Sequence, residues 1–161
     1  MQATRRVYNQ LKKREGLRLR RYWDKYGETW TIGYGHTEHA DRLTEITQAE
    51  ADALLIYDVS KFVNLVNKYR TQRGYKLNQN QFDSLVMFAY NVAGGVKAGS
   101  NLDQAIRRQD WQKAAEIMQQ YDKAGGVQLP GLTARRQYEA RLLITPYIDA
   151  KTLLIAGSLF V

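Results

Sequence analysis

The stretch that decides the fold is EGLRLRRYWD, residues 15–24, followed after six further residues by TIGYGHT, residues 31–37. Apolar and polar residues alternate through much of both segments, and KYGE, residues 25–28, supplies a turn between them. Two runs with a period of two around a glycine-containing turn predict a small antiparallel hairpin or meander. We therefore expect the β-structure to be confined to a small lobe near the N-terminus.

Helical patterns lie on both sides of this hairpin. A short basic amphipathic helix is predicted over Thr4–Arg14, and a long one over Thr47–Tyr69, where Thr47 and Glu50 match a capping box. Five more helices are predicted from caps and apolar spacing: one through Phe82–Ala89 capped by Asn78 or Asn80 and ended by Gly94–Gly95, two capped by Asn101 and Asp110, one over Leu132–Leu143, and a last one starting at Thr145-Pro146.

The predicted fold class is α+β and predominantly helical, with two lobes in one domain. The chain has 161 residues and a hydrophobic fraction of 44%, which suffices for one core. A small β-containing lobe, about residues 15–46, is joined by the long helix, about 47–70, to a helical lobe, about 71–161. The N-terminal helix, residues 4–14, belongs to the helical lobe.

Glu15 and Asp24 are the candidate catalytic carboxylates. Hydrolysis of a glycosidic bond requires a proton donor on the leaving oxygen, and a carboxylate across the sugar that activates water or attacks the sugar. Glu15 falls at the predicted C-terminus of a helix, where the helix dipole disfavours a further negative charge. Asp24 starts the hairpin turn, so helix end and hairpin can face each other across a groove. Spacing alone also allows a solvated ion-pair partner and a turn former.

The whole string favours catalysis, because it combines EGxRL, a tyrosine before Asp24 and TIGxGH at one fixed distance. It strongly resembles the catalytic signature of the phage-type lysozymes, the bacteriophage endolysin muramidases. The resemblance continues through residues 79–91, 111–115 and 123–139. It implies a lysozyme-like two-lobed fold and cleavage of the β-1,4 bond between N-acetylmuramic acid and N-acetylglucosamine. It also implies inversion at the sugar and no cofactor.

The resemblance carries over residue by residue. Glu15 matches the family's general acid, Asp24 the acidic residue that positions or activates water, and Thr31 the threonine beside that water. Six residues separate Asp24 from Thr31, one more than is usual in the family. The additional residue falls in the turn, where insertions are tolerated, and Thr29 is an alternative to Thr31.

Four further residues are candidates for binding or support. Tyr34 and Tyr90 could stack on sugar faces or belong to the core. Asn91 could hydrogen-bond an N-acetyl group or simply end a helix. His36 is interpreted as a buried, hydrogen-bonded residue that supports the small lobe, with a catalytic base as the alternative.

Arg135 and Arg136 form another candidate pair. A guanidinium near Glu15 would help to hold the acid in place, and the family has such an arginine at the start of this helix. The sequence does not decide between the two arginines, and the other one is expected to be solvated.

The formal net charge of +8 favours a polyanionic partner, although many small proteins are basic without one. Bacterial peptidoglycan is the predicted partner, and no nucleic acid is expected because no reading helix or base-stacking motif is found. The chain has no cysteine and only His36 and His39 as histidines, so no metal site is expected.

The N-terminal residues 1–16 lack the apolar run of a signal peptide. We expect the protein to remain in the host bacterial cytoplasm before its release to the cell wall. The apolar segment Leu153–Val161 is too short to span a bilayer. It is interpreted as a final helix or tail packed on the core, with a membrane or partner contact as the alternative. We expect a monomer without stable membrane insertion.

Two other functions are considered. A lytic transglycosylase cuts the same bond with one glutamate, but Asp24 and Thr31 argue against it, because that chemistry needs no second acid. A non-catalytic basic module that binds the cell wall would explain the charge and the apolar segment, but it gives no role to Glu15.

Overall fold

The order of helices and strands follows the sequence patterns closely. The computed structural model describes residues 1–25, 27–92 and 94–148. Its elements are α1 (Arg5–Glu15), β1 (Arg18–Asp24), β2 (Thr29–Gly33), a short 3-10 helix (Ala40–Arg42), α2 (Gln48–Arg73), α3 (Gln79–Asn91), α4 (Asn101–Arg107), α5 (Trp111–Gln119), β3 (Lys123–Ala124), β4 (Val127–Gln128) and α6 (Pro130–Ile144). The predicted α+β, predominantly helical fold is confirmed.

Helix α2 starts with the predicted capping box. The Glu50 N–H donates to Thr47 Oγ1 at 3.2 Å, and the Thr47 N–H donates to Glu50 Oε2 at 2.7 Å. The helix ends at Arg73, beyond the predicted end, where Gly74 adopts a φ of 72°. Its 26 residues span about 39 Å. Near its start, Ala51 packs against Gly33 of β2, and α2 also contacts α3, so one helix joins the hairpin to the helical part.

Helix α3 forms the centre of the helical part. Its residues from Asn80 to Ala89 are all buried, and α1, α2 and α6 contact it. A helix that is buried on every side must have its polar groups paired. Accordingly, Asn78 and Gln81 form a capping box at its start, and the Ser84 hydroxyl donates to a carbonyl of α6 at 2.7 Å.

Several sequence predictions were wrong in detail. The β-structure is not confined to the N-terminal lobe, since β3 and β4 pair as a second antiparallel ribbon. Ser100 rather than Asn101 caps α4, because its hydroxyl accepts the Asp103 N–H at 3.2 Å. Helix α6 spans Pro130–Ile144, within two residues of the predicted start near Leu132.

The predicted last helix, starting at Thr145-Pro146, is absent from the described residues 145–148. Residues 145–148 are not helical, so no helix starts at Thr145-Pro146. The Asn80 amide instead donates to the carbonyls of Thr145 and Pro146, at 3.2 Å each. The apolar segment Leu153–Val161 lies outside the described residues, and the lobe boundaries stay predictions. None of the helices in the described ranges is both long and apolar enough to cross a membrane.

Candidate active site

Glu15 is the last residue of α1, where the chain has to turn sharply. Gly16 follows with a φ of 70°, a conformation that glycine adopts without strain. The Glu15 side chain is only one-quarter exposed. Gly35, with a φ of 93°, runs beside it, and a Cβ added there would lie 4.0 Å from Glu15 Oε2. The end of α1 and the chain just beyond β2 therefore meet at this carboxylate.

The hairpin register decides which residues accompany Asp24. Asp24 pairs directly with Thr29, and Tyr22 pairs with Thr31. Since side chains alternate along a strand, these four residues share one face of the hairpin. Trp23 and Trp30 pair on the opposite face, with their rings edge to face at 5.5 Å.

The turn that closes the hairpin packs against the Asp24 carboxylate. A Cβ added at Gly27 would lie 3.1 Å from Asp24 Oδ2, so the turn approaches the carboxylate closely. Glu28 adopts a φ of 47° to complete the turn. The sequence analysis places the residue that is additional to the family spacing in this turn. Despite it, the Thr29 and Thr31 side chains lie on the same face of the hairpin as Asp24.

Thr31 and Thr29 differ in burial. Thr31 is 3% exposed, and its Oγ1 has no hydrogen-bond partner among the described residues. Thr29 is half-buried and lies directly opposite Asp24. Within the described ranges, Thr31 thus has the uncommitted hydroxyl, whereas Thr29 has the direct pairing with Asp24.

Arg135 is the arginine that holds Glu15. Its Nη2 donates to Glu15 Oε1 at 2.8 Å, and the residue is 8% exposed. Arg136 is fully buried, so the expectation that the second arginine is solvated was wrong. Consecutive helical residues point about 100° apart, and this rotation directs Arg136 into the core.

Arg136 belongs to a buried polar cluster behind the site. Its Nη2 donates to Glu139 Oε1 and to Asn91 Oδ1, each at 3.0 Å, and its guanidinium lies 5.0 Å from the centre of the Phe88 ring. Burial raises the pKa of Glu139 to about 7, although the neighbouring arginines oppose this shift. The cluster ties α6 to the end of α3.

The two tyrosine candidates, Tyr34 and Tyr90, differ in burial and in their distance from the site. Tyr34 is 6% exposed and hydrogen-bonded to Asp52, so it belongs to the core and its ring is not presented to a ligand. Tyr90 is half-buried, and its hydroxyl donates to the Tyr34 carbonyl at 3.3 Å. Burial, and secondarily the negative charge of Glu15, raise the pKa of Tyr90. Tyr90 therefore lies near the candidate acid.

Asn91 and His36 also occupy defined surroundings. Asn91 is exposed at the end of α3 and lines a cavity of about 950 Å³, together with Tyr121 and Lys123. His36 is buried, and its Nδ1 lies 2.8 Å from Asp58 Oδ2. This arrangement favours the supporting role of His36 over that of a catalytic base. Within the described ranges, no three acidic or histidine side chains are grouped so as to hold a metal ion.

Comparison with known proteins gives the context for this geometry. The family model described as phage lysozyme matches residues 12–139, which include Glu15, Asp24, Thr31 and Arg135. The chain belongs to the phage lysozyme family. The match covers the hairpin and helices α2 to α5, together with the part of α6 that holds Glu15.

Relatives of the phage lysozyme family differ in length. The endolysin of Bacillus phage B103 is 38% identical over 142 residues, which are 85% of this chain but 52% of that endolysin. The endolysin of Acyrthosiphon pisum secondary endosymbiont phage 1 is 35% identical over 136 residues, 82% of this chain and 90% of that protein. The chain thus spans about half of the first relative and most of the second.

Solved structures agree on the phage lysozyme fold. The muramidase domain of SpmX from Asticaccaulis excentricus superposes with a TM-score of 0.77 at 32% identity, over 90% of this chain and 99% of that one. The endolysin from Escherichia coli O157:H7 phage FAHEc1 superposes with a TM-score of 0.73 at 33% identity, over 92% and 98%.

Sequence reasoning missed Asp58 and Glu139 as parts of this phage lysozyme site. Asp58 interrupts the apolar stripe of α2, and a lone acid within such a stripe indicates a buried partner. Glu139 lies three residues after Arg136, a spacing that places both on one helix face. The acid in the stripe of α2 does not identify its partner, and the spacing of Arg136 and Glu139 does not reveal that both are buried.

Proposed function

We propose that the chain is a muramidase that hydrolyses the β-1,4 bond between N-acetylmuramic acid and N-acetylglucosamine in peptidoglycan. Membership of the phage lysozyme family supports this function. The observation that carries the proposal is the placement of Glu15, which Arg135 holds at the helix end next to Gly35, just beyond the strand that pairs with Asp24. Two carboxylates on opposing elements are what the hydrolysis of a glycosidic bond requires.

Each residue at the site has a distinct role in the proposed reaction. Glu15 protonates the leaving oxygen, and Asp24 positions and activates the attacking water. The Thr31 hydroxyl bonds the same water, and Arg135 keeps the Glu15 carboxyl in one orientation. Attack by water from the face opposite the leaving group inverts the sugar, a route that leaves about 6.5–9.5 Å between the two carboxyl groups.

Asn91 is the proposed contact for the substrate. Its side-chain oxygen is held by Arg136, which orients the amide at the rim of the 950 Å³ cavity. The amide nitrogen can then donate to an N-acetyl carbonyl. Tyr90 contributes a half-buried ring nearby, whereas Tyr34 and His36 support the site from the core. We further propose a monomer that reaches the wall after release from the host bacterial cytoplasm, and sedimentation of the purified chain tests its oligomeric state.

Loss of turbidity of purified peptidoglycan tests the function. Wild type, Glu15→Gln and Asp24→Asn are compared at equal concentration. We expect both substitutions to reduce the rate by about 10³-fold or more, since each removes a group that acts on the reacting atoms. A purely wall-binding module would behave alike with and without Glu15.

Product analysis separates hydrolysis from transglycosylation. Hydrolysis adds one water to each cleaved bond, whereas a lytic transglycosylase leaves an anhydro sugar that is lighter by one water. Mass spectrometry of the digest distinguishes the two, and an anhydro product would overturn the hydrolase proposal. The anomeric signal of fresh product by NMR then decides between inversion and retention.

A further inference from the structure

A second cavity lies beside Glu15, between the end of α1 and the start of α6. Its volume is about 860 Å³. Its charged lining residues are Lys13, Arg14 and Arg135, and no acidic residue of the described chain lines it. Arg135 also contacts Glu15, so the cavity adjoins the proposed catalytic acid through one shared side chain.

Within the described residues, one guanidinium that lines this cavity is only partly paired. Arg135 uses Nη2 for Glu15, but its buried Nη1 has no hydrogen-bond partner among the described residues. The Arg14 guanidinium lies 5.5 Å from the centre of the Tyr138 ring. Burial, and then repulsion from Arg135, lower the pKa of Arg14, while the charges of Glu139 and Glu15 partly oppose this shift. The positive charges therefore crowd one another, and an anion would relieve that repulsion.

The first turn of α6 adds further positive character. Gly131 and Leu132, its second and third residues, also line the cavity. The first N–H groups of a helix have no acceptor within the helix, and Pro130 at the first position has no N–H to satisfy. No side chain in the described part of the chain caps this helix start. Backbone donors at a helix start favour oxyanions.

We propose that this cavity binds an anionic substituent of the cell-wall substrate, a carboxylate or a phosphate group, beside the bond that Glu15 acts on. This inference rests on the proposed muramidase function. It concerns a group of the substrate that the two catalytic carboxylates do not contact. Uncharged sugar would gain little from three cations, whereas a planar guanidinium matches carboxylate and phosphate oxygens. A ligand at Arg135 would also fix the side chain that orients Glu15.

Matched substrates test this proposal. They are intact peptidoglycan strands, strands whose free carboxylates are converted to amides with a carbodiimide and ammonia, and strands freed of phosphate polymers by cold hydrofluoric acid. For the wild type we expect a KM about tenfold higher after removal of the group that the cavity binds, because one charge-assisted contact is lost. The treatment that raises KM identifies the source of the anion, carboxylate or phosphate.

Variants that lose the same number of positive charges show whether the cavity causes this difference in KM. In Lys13→Gln/Arg14→Gln we expect the tenfold ratio of KM values to fall to about one. Arg5→Gln/Lys68→Gln removes two exposed charges elsewhere and should keep the ratio. Lys13→Gln alone, at an exposed position, should reduce the ratio in part and guards against misfolding of the double variant.

The outcomes separate this inference from the proposed function. Cleavage of amidated strands by wild type, but not by Glu15→Gln, supports the muramidase irrespective of the cavity. Equal wild-type KM values on all three substrates would overturn the anion site while leaving the hydrolase intact. A ratio that falls equally in both charge-deletion variants would also overturn it, since net charge would then explain the preference.

Discussion

Arg135 Nη2 lies 2.8 Å from Glu15 Oε1, and the two residues are 120 positions apart in the chain. Glu15 ends its helix and is followed by Gly16, so its local backbone does little to restrain the carboxylate. The ion pair fixes the Glu15 side chain from α6 instead. The orientation of the proposed acid is thus a property of tertiary packing.

Replacement of Arg135 by alanine should lower kcat strongly and should change the Tm only slightly. Without the guanidinium the Glu15 carboxyl is free to rotate, and a misplacement of about 1 Å costs on the order of 10²-fold in rate. Kinetics on purified peptidoglycan and the Tm of the variant provide the measurement. Arg135→Lys keeps the charge without the planar fork and should recover part of the rate.

The adjacent Arg136 offers a matched control with the opposite signature. Arg136→Met leaves Glu139 buried without its ion-pair partner, which should destabilise the fold by about 3 kcal/mol. The folded fraction should retain a higher kcat than Arg135→Ala, while the lost hydrogen bond from Arg136 to Asn91 should raise KM. Equal kcat in wild type and Arg135→Ala would remove Arg135 from the proposed positioning role.

Thr31→Val should make the protein more stable and less active. The substitution removes a buried hydroxyl that has no partner among the described residues, which should raise the free energy of unfolding by about 1 kcal/mol. If Thr31 holds the attacking water, kcat should fall on the order of 10²-fold. Urea unfolding and kinetics measure the two effects. Thr29→Val is the control, and a larger loss of kcat there would transfer the role to Thr29.

Asp58→Asn should destabilise the protein without a comparable effect on chemistry. It replaces the acidic partner of the buried His36, whose Nδ1 lies 2.8 Å from Asp58 Oδ2. Loss of a hydrogen bond to a charged group costs about 1.5–3 kcal/mol. A double-mutant cycle with His36→Asn, followed by urea unfolding, measures the coupling. If His36 were a catalytic base, His36→Asn would abolish activity even in fully folded protein.

Glu139 should give stability a distinct dependence on pH. Its pKa is raised from an ordinary value of 4.5 to about 7, so the folded state holds this proton over a range in which the unfolded chain has lost it. Stability from this group is therefore fully present below pH 4.5 and is lost as the pH rises through about 7. The loss amounts to roughly 3 kcal/mol.

Glu139→Gln isolates this contribution, because glutamine does not titrate. The free energy of unfolding of the variant, relative to that of the wild type, should increase as the pH rises from 4.5 to 7. Chemical denaturation of both proteins at several pH values provides the comparison. A constant difference across this range would show that Glu139 titrates normally in the folded protein.

The fold was largely predictable from the sequence because its signals are local. The alternation within EGLRLRRYWD predicted the hairpin, and Thr47 with Glu50 predicted the start of α2. The ribbon of β3 and β4 was missed because each strand has two residues, too few to show a period. Ser100 and Asn101 are both good helix caps. The backbone geometry determines which of them caps α4, and the sequence does not show that geometry.

The candidate site was predictable only in part, because its pairings are long-range. The signature string points to Glu15 and Asp24 without revealing what holds them. The choice between Arg135 and Arg136 depends on how α6 is rotated against α1 and α3, which the helix sequence alone does not fix. The burial of Arg136 follows from the same rotation. Local patterns thus located the carboxylates, and packing determined their surroundings.

The 120-residue separation between Glu15 and Arg135 has a consequence for synthesis. The signature string leaves the ribosome early, whereas the arginine that orients the acid is added 120 residues later. At about 5–20 residues per second this interval lasts roughly 6–24 s. A nascent chain therefore carries every residue of the hairpin long before the acid is held in place, and the site is completed only when α6 has emerged and docked.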